Sequence, residues 1–276
     1  MSKASTSAFN YSQNNSPVGL AVAITIISLW FASLIGLLTL DLTKIPLILV
    51  VLGVLLRSFL HTGLFITTHE AIHGIVAKHW QINDFIGCTT SFLYALLPYK
   101  VLAENHRLHH RYPATEKDPD FYPSDSNNFL LWYVSFMKEY QKGRQAWILL
   151  IGMIVIFWTL ICLHIPPLNI FLFWVIPILI SSWQLFTFGI WFPHRQTEVG
   201  YSDRHRANSN NYSVFWSFIT CYHFGYHWEH HQYPYLPWYK LPLARQNNQK
   251  QFGISPRSVG LIKLKSPSYS HTRSNF

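Results

Sequence analysis

Residues 20–40 form a run of 21 positions without a single charge. At 1.5 Å of rise per residue, a helix of that length is about as long as a bilayer's hydrocarbon core is thick, roughly 30 Å. Residues 45–67 repeat the signal with one charge, Arg57, and residues 147–164 and 168–192 repeat it with none. Pro177, inside the last run, predicts a kink. Residues 85–97 are also apolar, but 13 positions are too few for a crossing and read as a re-entrant or interfacial segment. Residues 129–140 read as a helix lying in the interface. The expected fold is an all-α integral membrane protein with four transmembrane helices and a cytoplasmic helical cap. Its expected parts are a flexible N-terminal tail (1–19), a membrane domain (20–245) and a polar C-terminal tail (246–276). The charged fraction of 12% suits this reading, since soluble domains carry about 25%. Three cysteines without paired spacing exclude a disulfide framework.

Four crossings leave both termini on one side. Residues 1–19, 68–146 and 193–276 share that side and hold 19 of the 21 Lys and Arg; only Lys44 and Arg57 lie elsewhere. The positive-inside rule makes it the cytoplasmic side, with both termini there.

The same side holds three histidine clusters: His69 and His73 in HEAIH; His106, His109 and His110 in HRLHH; His227, His230 and His231 in HWEHH. On a helix, positions i, i+3 and i+4 share a face, so each box presents its rings together. The adjacent pair in an HxxHH box diverges by about 100°, which lets the two rings serve different targets. Eight imidazoles exceed what one ion takes and suit two ions with open positions. Imidazole binds Zn, Cu, Fe and Ni alike, so the spacing leaves the metal unnamed. Two other classes compete. HEAIH fits the HExxH pattern of zinc metalloproteases, with Glu70 as base, but leaves both HxxHH boxes unexplained. A metal transporter would place its ligands near the bilayer midplane, whereas these clusters lie beyond the ends of the runs.

The boxes and their place among four spans resemble the membrane fatty acid desaturase and hydroxylase superfamily. Within it, HEAIHG, PATEKDPDF, QLFTFGIWFPHR, DRHRANS, TCYHFGYHWEHH and LPWYKLP resemble the bacterial and cyanobacterial β-carotene ketolases, or 4-oxygenases. The likeness runs from Arg57 to Arg245. One departure is Glu70, where that family usually carries Asp. The resemblance implies a non-haem di-iron centre with O₂ as co-substrate and a ninth ligand, His194 in FPHR. His205 is a weaker candidate. It implies oxidation of the C4 methylene of a β-ionone ring to a ketone, by two hydroxylations and a dehydration. It implies a carotenoid drawn from the bilayer and an external electron donor such as ferredoxin, since no GxGxxG fingerprint is present. A fatty acid desaturase or a carotenoid ring hydroxylase is the alternative in the same superfamily.

Around the boxes, Asp118, Asp120 and Glu70 are the first candidates to orient ligating rings, with Glu104 and Glu229 behind them. Aromatic residues flanking the boxes, including Phe65, Trp191, Phe192 and Phe224, are candidate walls for an apolar ligand. Arg57 and His61 continue the stripe of His69 and His73 down the second run, as either a proton path or a structural polar cluster.

Overall fold

A computed structural model describes residues 17–122, 128–196, 200–201 and 203–252. Every regular element among them is helical. Four helices are long and apolar enough to cross a membrane: α1 (Val18–Leu38), α2 (Leu47–Ile72), α6 (Arg144–Cys162) and α7 (Pro167–His194). They fall within a few residues of the expected spans. Two shorter helices, α3 (Trp80–Ala95) and α4 (Tyr99–Arg111), follow α2, and α5 (Phe129–Tyr140) precedes α6. Three more follow α7: α8 (Val214–Cys221), α9 (His227–Gln232) and α10 (Leu241–Phe252).

The exposed surface is that of a membrane protein. No residue of α6 is buried, and its Trp147, Ile151, Val155 and Trp158 are each more than half exposed. In water such a surface would drive association. In lipid it costs nothing, because the helix satisfies its own backbone.

The axis of the bundle is α2, packed against α1, α3 and α7. Leu64 and Ile66 of α2 meet Trp30, Tyr94, Leu185 and Tyr222 in the main core. Lower in α2 sits a polar cluster. Arg57 donates from Nη1 to the Trp30 carbonyl (2.9 Å) and to Ser33 Oγ (3.0 Å), with its guanidinium over the Trp30 ring. The Trp30 indole N–H donates in turn to His61 Nδ1 at 3.2 Å. Arg57 Nε donates to the Phe173 carbonyl at 3.0 Å. That carbonyl lies four residues before Pro177, which has no N–H to offer it. A π-helical turn over Phe171–Val175 takes up the irregularity, so the proline enters a locally rewound helix. Of the two readings of Arg57 and His61, these contacts describe a structural clamp between α1, α2 and α7.

The chain turns by 99° between α3 and α4. Leu96 takes a left-handed conformation (φ 53°) that closes the end of α3, and Pro98 keeps Leu97 out of the helical region. The apolar segment expected at 85–97 is thus the second half of a longer helix, bent onto a histidine-bearing one.

Described residues after α7 pack against α2, from its middle to the end where α2 and α7 finish. The Tyr222 hydroxyl donates to the Phe59 carbonyl, and Trp238 N–H donates to Glu70 Oε1, both at 3.2 Å. The helix α10 runs past 246, where the tail was expected to begin. Most of both expected tails, residues 1–16 and 253–276, lies outside the described residues.

Candidate metal centre

Histidines from four helices meet at that end in two groups. Nitrogens of His69, His73, His106, His110 and His230 lie within 4.8 Å of one another, and so do those of His109, His194, His227 and His231. In the five-ring group the Nε2 atoms of His73 and His106 are 2.8 Å apart, those of His110 and His230 2.9 Å, and those of His69 and His230 3.1 Å. In the four-ring group His231 Nε2 lies 3.1 Å from both His109 Nε2 and His227 Nε2.

Helical geometry explains the sorting. In α4, positions i and i+4 (His106, His110) face the five-ring group, and i+3 (His109) faces the other. In α9 the assignment is reversed: His227 and His231 face the four-ring group, and His230 crosses to the five-ring group. The two HxxHH boxes exchange their middle rings. The five-ring group is completed by the pair on the last turn of α2, and the four-ring group by His194 alone at the end of α7.

Two rings are locked with Nδ1 as the donor and Nε2 as the acceptor. The His109 Nδ1–H faces both oxygens of Asp118, at 3.0 and 3.1 Å. His194 Nδ1–H donates to the Arg206 carbonyl at 2.9 Å, and its Nε2 is buried without a hydrogen-bond partner. A buried lone pair aimed at three other imidazoles is costly unless a cation sits among them. His230 Nε2 confronts two rings at once, and one proton cannot serve both. Burial pushes His227, His230 and His231 well below the ordinary imidazole value, and neighbouring imidazoles push the same way. Burial brings His73 to about 4. Those four rings are therefore neutral, the form that ligates metal; at His109 burial pushes the same way, but the Asp118 carboxylate outweighs it and raises the ring. Nine imidazoles fit a pair of first-row transition metal ions and do not suit Mg or Ca.

The carboxylates divide. Asp118 also accepts from Ala114 N–H (2.8 Å) and Asp120 N–H (2.9 Å), which fixes it under His109. Burial works against its charged form, but the His109 ring outweighs burial and holds the carboxyl below its ordinary value. Asp120 moves up to about 6, through burial and the Asp118 charge, against the pull of His109. Its Oδ1 accepts from the Tyr140 hydroxyl at 2.5 Å, and its Oδ2 lies 3.8 Å from His109 Nδ1. Glu70 corrects the expectation that it orients a ring. One position after His69 on the helix, it turns about 100° away and holds Trp238 N–H instead. Glu229, buried, pairs with Arg245 (3.1 Å) and the Ser209 hydroxyl, tying α9 to α10. Glu104 is exposed on α4. His205 joins neither group; its Nε2 lies 2.8 Å from Gln232 Oε1.

Two hollows touch the candidate ligands, and a third adjoins one of these. A small inner cavity, about 50 Å³, is lined by His69, His106, His109 and His227, two rings from each group, together with Asp120 and Tyr140. A larger cavity, about 480 Å³, opens between α5, α6 and α7 and is walled by residues such as Tyr133, Phe136, Met153, Phe157 and Ile178. The two share Phe65, Leu102, Phe136, Tyr140 and Leu185, which stand between them. On another side, a surface hollow of about 320 Å³ is lined by His73, His106, His110, Arg107, Arg111 and Pro234. Of the aromatics expected to wall a ligand site, Phe65 and Phe224 do so, whereas most of the large cavity comes from α5, α6 and α7. Tyr140 and Arg206 carry no sequence signal: one is a tyrosine among many aromatics, and the other acts through its backbone.

The fatty acid desaturase family profile matches residues 44–144 and 131–258. The chain belongs to that family. Among curated proteins it is 37% identical to a beta-carotene ketolase of Haematococcus lacustris, over 68% of this chain and 60% of the algal protein. It is 36% identical to a beta-carotene ketolase of Paracoccus sp. (strain N81106 / MBIC 01143), over 81% of this chain and 87% of the bacterial one. It is 35% identical to a zeaxanthin 4-ketolase of Chlamydomonas reinhardtii, over 83% of this chain and 53% of that protein. The chain thus spans between half and two thirds of the algal relatives it matches. No solved structure matches it.

Proposed function

We propose that this chain is an O₂-dependent membrane oxygenase that converts the C4 methylene of a carotenoid β-ionone ring to a ketone, with two iron ions held by the nine histidines. The observation that carries the reading is the apolar cavity between α5, α6 and α7, which shares five wall residues with an inner cavity lined by rings of both histidine groups. The ketolase relatives supply the reaction class. When bound, iron supplies the redox chemistry that a site of this kind filled with zinc would lack.

The remaining work falls to the chain. The large cavity admits one end of an apolar rod from the lipid and keeps water from the reacting carbon. Phe65 and Leu185, common to both cavities, guide the ring inward. Asp118 and the Arg206 carbonyl fix the tautomers of His109 and His194, which sets the direction of their lone pairs. The basic face, including Arg107 and Arg111, faces the cytoplasm and docks an acidic one-electron carrier of the ferredoxin kind beside His73, His106 and His110.

The protease reading requires Glu70 beside a ligated water, and its carboxylate is bound to Trp238 N–H instead. Pigment extracted from a β-carotene-producing host that expresses the chain tests the proposal. A 4-keto carotenoid is expected. A ring alcohol at C3 or an altered acyl chain would assign the chain to a hydroxylase or a desaturase. Purified protein is expected to hold close to two irons.

A further inference from the structure

The inner cavity has one stretch of wall that is neither apolar nor part of the two histidine groups. Among its described lining residues, that stretch is Asp120 with Tyr140. The pair is rigidly held. Tyr140 donates to Asp120 Oδ1 at 2.5 Å, Trp132 Nε1–H donates to the Asp120 carbonyl at 2.8 Å, and Asp120 N–H donates to Asp118 Oδ1 at 2.9 Å. Tyr140 also lines the large cavity, so it stands between the two hollows. A hydrocarbon ring has no use for a carboxylate and a phenol at this position. Both are costly to bury beside an apolar ligand unless something polar arrives there.

Something polar does arrive if the reading above holds, and the inference rests on it. The first oxidation replaces a C4–H bond with C4–OH. It consumes one O₂, two electrons from the external one-electron donor and two protons, and it releases one water. The second oxidation does the same at the same carbon, and the resulting diol loses water to leave the ketone. Between the two stands an alcohol inside an apolar cavity. We infer that Asp120 and Tyr140 bind this hydroxyl and retain the half-oxidised ring until the second oxidation. The Tyr140 proton is engaged by Asp120, which leaves the phenol oxygen as the acceptor for the alcohol O–H, and Asp120 holds that oxygen in place. The hydroxyl finds no such acceptor in the bilayer interior. The pair therefore decides whether the product is a ketone or an alcohol, and not whether C4 is attacked.

Two measurements test this on the full-length chain. In a β-carotene-producing host, Tyr140→Phe keeps the wall and removes the hydroxyl. The ratio of 4-hydroxy to 4-keto carotenoid is expected to rise about three- to tenfold, the worth of one hydrogen bond. An unchanged ratio overturns the inference. Separately, the purified chain without electron donor, where no turnover occurs, is titrated with 4-hydroxy-β-carotene and with β-carotene, followed by tryptophan quenching. Wild type is expected to bind the alcohol about three- to tenfold more tightly, and Tyr140→Phe to lose that preference. Equal binding by wild type overturns the inference even if the variant does not accumulate. Absence of any oxidised carotenoid from wild type strikes the ketolase reading instead, and the binding preference still decides what the pair does.

Discussion

At the residue scale, a histidine's role is set by which of its nitrogens is already engaged. His109 and His194 sit in the four-ring group with Nδ1 held by Asp118 and by the Arg206 carbonyl. Replacing His109, His194 or His230 with Ala is expected to remove metal and activity together while membrane insertion persists, as read by iron content and membrane fractionation. Full iron occupancy in any of the three would refute that residue as a ligand. Asp118→Asn keeps the shape and removes the charge that makes His109 a stronger base. It is expected to lower metal affinity or activity by about 10–100-fold. Glu70→Asp, which restores the residue usual in the resembled family, is expected to leave iron content unchanged, because the carboxylate faces Trp238 N–H.

At the element scale, α7 is the irregular member of the bundle. Its second π-helical turn, Phe186–Trp191, holds Gly189, where a Cβ would come within 2.3 Å of the Phe224 ring. Phe224 packs edge-on against His69 and His227, one ring from each group. Gly189→Ala is expected to disturb both groups through that ring, seen as lost activity with an altered metal absorption or resonance spectrum. An unaltered spectrum would argue that Phe224 simply yields. Lower in the bundle, Arg57→Met removes the donor that Pro177 makes necessary. At roughly 3 kcal/mol for buried charge-assisted bonds, and about 2–4 °C per kcal/mol for a chain of this size, the apparent melting midpoint in detergent should fall by about 6–12 °C. A midpoint within 2 °C or so of wild type would show that the clamp is dispensable.

At the scale of the whole molecule, two approaches to the centre differ in chemistry. The lipid-side cavity is apolar, whereas the hollow beside His73, His106 and His110 carries Arg107 and Arg111. Charge reversal at both arginines is expected to raise the KM for an acidic donor and to flatten its salt dependence, with little change in carotenoid binding. A reduction rate independent of salt in wild type would remove the electrostatic docking. The centre should also be acid-labile. Ligating rings must be neutral, and burial holds His73 at about 4 where an ordinary imidazole titrates near 6.5. In the folded protein, protons therefore compete for the ligand only as pH falls toward 4. The unfolded chain takes up its proton from about 6.5 downward, so stability also declines across that window. Metal retention independent of pH between 7 and about 4 would count against histidine ligation.

The four spans and all nine histidines of the two groups were legible in the linear sequence. Length, uncharged runs and i, i+3, i+4 spacing are local properties that a helix converts directly into geometry. The spacing also foretold that adjacent rings in an HxxHH box would part company. Which ring joins which group was decided by how α4 and α9 face each other across the end of the bundle. The same holds for Glu70, turned away by its place on α2, and for Tyr140, brought to Asp120 from 20 positions along the chain. The Arg206 carbonyl reaches His194 because the backbone turns there, at φ 43°, a conformation no side-chain pattern announces. Periodicity along one helix fixes the face on which a side chain sits. What that face meets depends on packing between helices distant in sequence, and that packing exists only in the folded chain.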